Sequence, residues 1–195
     1  MNILTEGFSE NVVIDGVSYA VNTDFRTWIR LGAILEDPKI PLPKKAQEIL
    51  LLGYKETIPP SFLKAMQGIL WFYTCGKTEK EGHKTKETKK RRPVFSFSED
   101  SALIYAAFWK EYGIDLATTP LHWWQFWSLF SALGEDNRLM QVIGYRSAEL
   151  SKISDKNRRR FYRQMQALYR LPDGRSALER EQEFQAQLGE LFEEG

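Results

Sequence analysis

The sequence predicts a mostly α fold, a bundle of six to seven helices with a short N-terminal β-hairpin. The hairpin is indicated by Asp15-Gly16, a pair that tolerates positive φ, between two short β-prone runs. The helices are indicated by apolar residues at helical spacing in segments bounded by Pro, Gly and capping residues. With 43% hydrophobic and 13% aromatic residues among 195, the chain can bury a substantial core.

The order of the elements follows from start and stop signals along the chain. A helix carrying Trp28 follows the hairpin and is expected to cover it, because an isolated hairpin is only marginally stable. Ser98 and Thr119 are expected to cap later helices, whereas Gly76 and Gly113 are expected to end helices. In order, we expect strands at 11–14 and 17–21 and helices at 24–36, 44–54, 61–75, 98–112, 120–133, 136–150 and 154–171, with 120–133 at the centre of the bundle.

The chain divides into two predicted parts. Residues 1–175 form a single helical domain with the N-terminal hairpin, and residues 176–195 form an acidic amphipathic C-terminal helix. Within the domain, residues 76–93 carry a net charge of +5 and no apolar side chain before Pro93. Such a segment cannot bury enough apolar surface to order itself, so we expect a mobile basic loop.

Charge and aromatic patterns single out candidate interaction residues. Residues 152–175 carry a net charge of +6 and are followed by a segment, 176–195, with a net charge of −5. The basic stretch alone would suit a phosphate backbone, but the adjacent acidic stretch competes for it and argues against nucleic-acid binding. The acidic helix could cap its own domain, or dock on another subunit or on a client helix. The candidates are Phe184, Leu188 and Leu191 on the apolar stripe of that helix, Arg159 and Arg163 in the basic stretch, and Trp127 in the aromatic block 123–130.

No pattern in the sequence predicts catalysis, a cofactor or a metal. Cys75 is the one cysteine, so no intrachain disulfide is possible and a reducing compartment is expected. The fragment Cys75-Gly76-Lys77-Thr78 resembles the end of a phosphate-binding loop but has Trp71 where the motif needs glycine. His122 has Asp115 seven residues before it, yet no nucleophile accompanies them, so a structural imidazole is expected. Apolar runs fall short of the roughly 20 residues that a membrane span needs.

Three blocks of sequence, in this order, resemble a known phage family. They are VIDG-x-x-Y-x-VNTDFR-x-W at residues 13–28, S-x-D with IYAAF and YGIDL at 98–116, and LHWW-x-F at 121–126. Together they resemble the phage "gene product fifteen" family, encoded in the tail modules of long-tailed phages and prophages of Gram-positive bacteria. The resemblance covers most of residues 11–170 and brings no catalytic residue with it.

The resemblance implies a role in phage tail morphogenesis. The genes of the family lie next to the tape-measure gene and after the tail-tube gene, where other phages encode tail assembly chaperones. The expected function is therefore a non-enzymatic chaperone that coats the tape-measure protein in the bacterial host cytoplasm during phage assembly. The tail-tube protein is a further candidate partner, and a homo-oligomer is also compatible with this role. The alternatives are a minor structural component of the virion, in the tail or head–tail junction, and a basic nucleic-acid-binding module.

Overall fold

The computed structural model describes residues 3–37, 39–76 and 93–172. Within these ranges the chain is mostly helical and carries one two-stranded antiparallel hairpin, which confirms the predicted fold class. The expected basic loop, apart from its two ends, and the expected C-terminal helix lie outside the described residues. In chain order the elements are α1 (Ile3–Glu6), β1 (Asn11–Ile14), β2 (Val17–Ala20), α2 (Phe25–Glu36), α3 (Leu42–Gly53), α4 (Phe62–Tyr73), α5 (Ser101–Tyr112), α6 (Trp123–Ser131), α7 (Arg138–Ser147), a 3₁₀ turn (Leu150–Lys152) and α8 (Lys156–Leu168).

The hairpin has the predicted turn but a different packing partner. Asp15 and Gly16 have φ values of 52° and 78°, as a turn with two left-handed central residues requires. The inner face of β1 packs on α4, where Gly68 leaves room for the side chain of Val12. The expectation that the hairpin covers Trp28 is wrong: that indole is fully buried against the rings of Phe72, Tyr73 and Trp123.

Two predicted helix starts are wrong. Ser98 does not cap α5, because residues 97–100 form a turn and the helix begins after Asp100. The Asp100 carboxylate does not cap the helix either; it accepts a hydrogen bond from Arg146. Thr119 does not cap α6, which begins after His122. The backbone at 121–123 pairs with residues 23–25 in an extended conformation, and this pairing postpones the helix by several residues.

The ends of the other helices follow the predicted signals more closely. Asp24 caps α2 by accepting a hydrogen bond from the backbone N–H of Arg26, and Gly113 ends α5 with a φ of 65°. At the end of α4 the predicted stop, Gly76, is left-handed with a φ of 73°, and Cys75 before it is left-handed as well, with a φ of 57°. The N–H of Gly76 donates to the carbonyl of Trp71 and closes the last turn. The remaining predicted bounds differ from the observed ones by a few residues.

Helix α6 occupies the centre of the core, as predicted. The Phe126 ring stacks between Phe25, at a centroid distance of 4.7 Å, and Phe108, at 5.0 Å. The indole N–H groups of Trp123 and Trp124 donate to the carbonyls of Tyr73 and Phe72 at 2.9 and 2.8 Å. These bonds satisfy the polar ends of two buried indoles and fix α6 against the C-terminus of α4.

Candidate interaction surfaces

The aromatic block of α6 is core and not a platform for stacking bases. Trp123, Trp124 and Phe126 are buried, so their faces are unavailable to a ligand. Trp127, a candidate interaction residue, lies half-buried at the edge of this core and packs against Phe130 and Trp123. Only part of its ring can reach a partner.

His122 has the structural role expected for it. Its Nδ1 accepts the N–H of Trp124 at 3.0 Å, and its Nε2 lies 3.0 Å from the carbonyl of Ser9, so the neutral tautomer with the proton on Nε2 satisfies both contacts. The ring stacks on Phe8, and burial lowers the pKa of the imidazole. Asp115 does not contact it; that carboxylate accepts the N–H of Ala117, which lowers the pKa of Asp115.

A buried ion pair that the sequence did not predict joins α5 to α7. The Asp100 carboxylate and the Arg146 guanidinium make two parallel hydrogen bonds of 2.6 and 2.9 Å, and their side chains are only 3% and 10% exposed. Arg146 also donates to the carbonyls of Val94 and Tyr169, and the backbone N–H of Ser96 donates to Asp100. The pair therefore holds together the start of α5, the end of α7 and the end of α8.

Helix α4 presents an apolar face to solvent. Phe62, Leu63 and Leu70 are exposed, and Met66 lies half-buried between them. The opposite face of the helix is buried in the core, so α4 is apolar on both sides and carries only Lys64 and Gln67 as polar side chains. The sequence contained this signal, since a surface helix usually has a polar outer face. An exposed apolar face of this kind is typical of a docking surface.

Helix α8 presents a second surface, which carries both basic and apolar side chains. Arg159 is half-buried, and its guanidinium donates to the carbonyl of Ile153 at 2.6 and 2.8 Å, so it stabilises the turn before α8. Arg163 is exposed on the outer face of the helix. The structure thus separates two residues that the sequence grouped together, because Arg159 bonds to the Ile153 carbonyl of its own chain whereas Arg163 is exposed.

The other candidate interaction residues, Phe184, Leu188 and Leu191, lie outside the described residues. Within the described ranges no helix has both the length and the apolar character needed to span a membrane. In the same ranges, no group of three or more His, Cys, Asp or Glu side chains is arranged to hold a metal ion.

Comparison with known proteins identifies the family. A sequence model of the family described as Bacteriophage Gp15 protein matches residues 6–171, which is most of the 195-residue chain. This chain belongs to the bacteriophage Gp15 family. The Gp15 family points to a phage virion or morphogenesis protein. Searches of curated proteins and of solved structures each gave no match.

The family match includes both exposed surfaces described above, on α4 and on α8. The matched residues run from β1 to the end of α8, so both the apolar face of α4 and the arginine-rich face of α8 belong to the Gp15 unit. The acidic segment 176–195 lies beyond the match.

Proposed function

We propose that this Gp15 protein is a tail assembly chaperone that coats the tape-measure protein before the tail tube encloses it. Family membership supports a role in phage morphogenesis. The observation that carries the finer proposal is the exposed apolar face of α4, formed by Phe62, Leu63 and Leu70. A chaperone for a long, helical, apolar-patterned client needs a surface of this kind.

The chemistry of the α4 face suits weak, reversible coating. Burying an exposed Leu or Phe side chain contributes at most about 1.5–3 kcal/mol each, and association itself costs several kcal/mol. A face of three or four such side chains therefore gives a weak contact by itself. Many copies on one extended client would hold it collectively and could still be displaced one by one by tail-tube subunits. Coating a client requires no catalytic step, so the proposed role is non-enzymatic.

Co-expression with the adjacent tape-measure protein, followed by affinity capture of the client, tests the proposal. The wild-type protein should be retained, whereas Leu63→Glu and Leu70→Glu should each reduce retention at least about tenfold, because a carboxylate in an apolar contact is strongly disfavoured. Leu51→Glu on α3 is the matched control: Leu51 is 61% exposed and Leu63 is 66% exposed. Equal retention of the Leu63 and Leu51 variants would contradict the assignment of α4.

The main alternative, a structural component of the virion, makes a different prediction. A chaperone is released when the tube polymerises and should be absent from purified particles. A structural component should be present there at constant stoichiometry. Finding the protein in purified particles, together with no capture by the tape-measure protein, would overturn the proposed function.

A further inference from the structure

The outer surface of α8 combines apolar side chains with cations that form no ion pair within the described part of the chain. Phe161, Met165 and Leu168 recur at i, i+4 and i+7, and Leu168 is 67% exposed. On the same helix Arg160 and Arg163 are exposed, and no carboxylate of the described residues forms an ion pair with either. The surface therefore fits an amphipathic helix with an acidic polar face.

A groove continues this surface at the N-terminal end of α8. It has a volume of about 340 Å³ and lies between α7, the 3₁₀ turn and α8, with Ala148, Ile153 and Tyr162 among its lining residues. Gly144 also lines it, and a side chain added there would meet no atom within 4 Å. The groove offers space for an apolar side chain from a helix lying along α8.

The chain itself supplies a segment with the complementary chemistry. Residues 176–195 carry a net charge of −5 and the apolar stripe Phe184, Leu188 and Leu191, with the same i, i+4, i+7 spacing as the α8 stripe. The connection between them contains Pro172-Asp173-Gly174, a sequence typical of a tight turn. A turn at this point would direct the following residues antiparallel to α8.

We propose that residues 176–195 fold back and dock on α8 of their own chain, with the stripe of Phe184, Leu188 and Leu191 covering Phe161 and the groove at the N-terminal end of α8. This inference is independent of the client-binding role of α4. A short connection keeps the segment at a millimolar effective concentration next to α8, so its own chain outcompetes a second copy at ordinary protein concentrations. The glutamates of the segment then lie near α8 cations that have no ion-pair partner among residues 3–37, 39–76 and 93–172.

The geometry of an antiparallel return sets an approximate register. With the turn centred near residue 173, residue 184 comes opposite about residue 162, and residue 188 opposite about residue 158. Phe184 then meets Phe161, and Leu188 reaches the groove beside Ile153.

Hydrogen exchange of the full-length protein tests the inference. The backbone amides of 184–191 should exchange at least about tenfold more slowly in the wild type than in Leu188→Glu or Phe161→Glu. The protection should stay constant when the protein is diluted, with a monomeric mass by light scattering. High salt should reduce the protection only in part, because apolar burial persists when the charges are screened.

The control is Leu51→Glu, which places a glutamate at an exposed apolar position of α3 and should leave the protection intact. Protection that falls on dilution together with a dimeric mass would show that a second copy is the occupant and would overturn the proposal. So would an unprotected segment in the wild type, protection that survives Phe161→Glu, or protection that is lost equally in Leu51→Glu.

Discussion

Asp100 and Arg146, 46 residues apart in the sequence, form a bidentate ion pair that is almost completely shielded from water. The pair connects α5 to α7, and Arg146 extends the connection to the residue that follows α8 through the carbonyl of Tyr169. The C-terminal helices that carry the proposed docking surface are therefore held to the rest of the domain by charge as well as by apolar packing.

Asp100→Asn should lower the free energy of unfolding by about 3–5 kcal/mol, because it leaves the guanidinium of Arg146 buried without a counter-charge. Urea unfolding followed by tryptophan fluorescence measures the change. Lys64→Ala, which removes the exposed ion pair of Lys64 with Asp15, is the control and should cost no more than about 1 kcal/mol. An Asp100→Asn variant as stable as the Lys64 variant would contradict this account.

The stability of the protein should fall as the pH drops below about 6.5, because burial lowers the pKa of His122 in the folded state. The unfolded state then binds more protons than the folded state, so protonation favours unfolding. Protonated Nδ1 also cannot accept the N–H of Trp124. His122→Asn keeps a capping acceptor but does not titrate, so its melting temperature should vary less between about pH 7 and pH 5. Equal pH dependence in both proteins would show that His122 does not contribute.

Gly16→Val should destabilise the protein by about 1–2 kcal/mol, because a β-branched residue is strained at the observed φ of 78°. A side chain at this position meets no atom within 4 Å, so the cost comes from the backbone and not from a clash. Gly16→Asn is the matched control, since asparagine tolerates the left-handed region and should keep most of the stability. Thermal unfolding of both variants separates strain from side-chain bulk, and equal losses would contradict the turn assignment.

Two glycine-to-alanine substitutions should have opposite effects. Gly144→Ala, inside α7 with open space around the new methyl group, should stabilise the protein by roughly 0.5–1 kcal/mol. Gly68→Ala should destabilise it by about 1–3 kcal/mol, because its methyl group would lie 2.8 Å from the hydroxyl of Tyr54 and 3.2 Å from Val12. The Tyr54 hydroxyl donates to the Ala65 carbonyl and cannot move without losing that bond. Chemical denaturation measures both changes, and two changes of the same sign would refute the packing of the hairpin on α4.

Local chemistry in the sequence was enough to predict the hairpin turn, the start of α2 near residue 24, the stop at Gly113 and the central place of α6. These features depend on residues adjacent in the chain or on the periodicity of a single helix. The sequence also contained the apolar outer face of α4, since its stretch from Phe62 to Tyr73 has only two polar side chains.

The tertiary structure decided the features that depend on residues distant in the chain. It placed α4, rather than α2, beneath the hairpin, because Gly68 is where the backbone of α4 leaves room for β1. It delayed the start of α6 to Trp123, because residues 121–123 pair with 23–25. It also placed the Arg159 guanidinium against the carbonyl of Ile153, whereas Arg163 is exposed. In the same way it paired Asp100 with Arg146. No local pattern specifies such contacts, because their energy depends on which distant groups the packed helices bring within hydrogen-bonding distance.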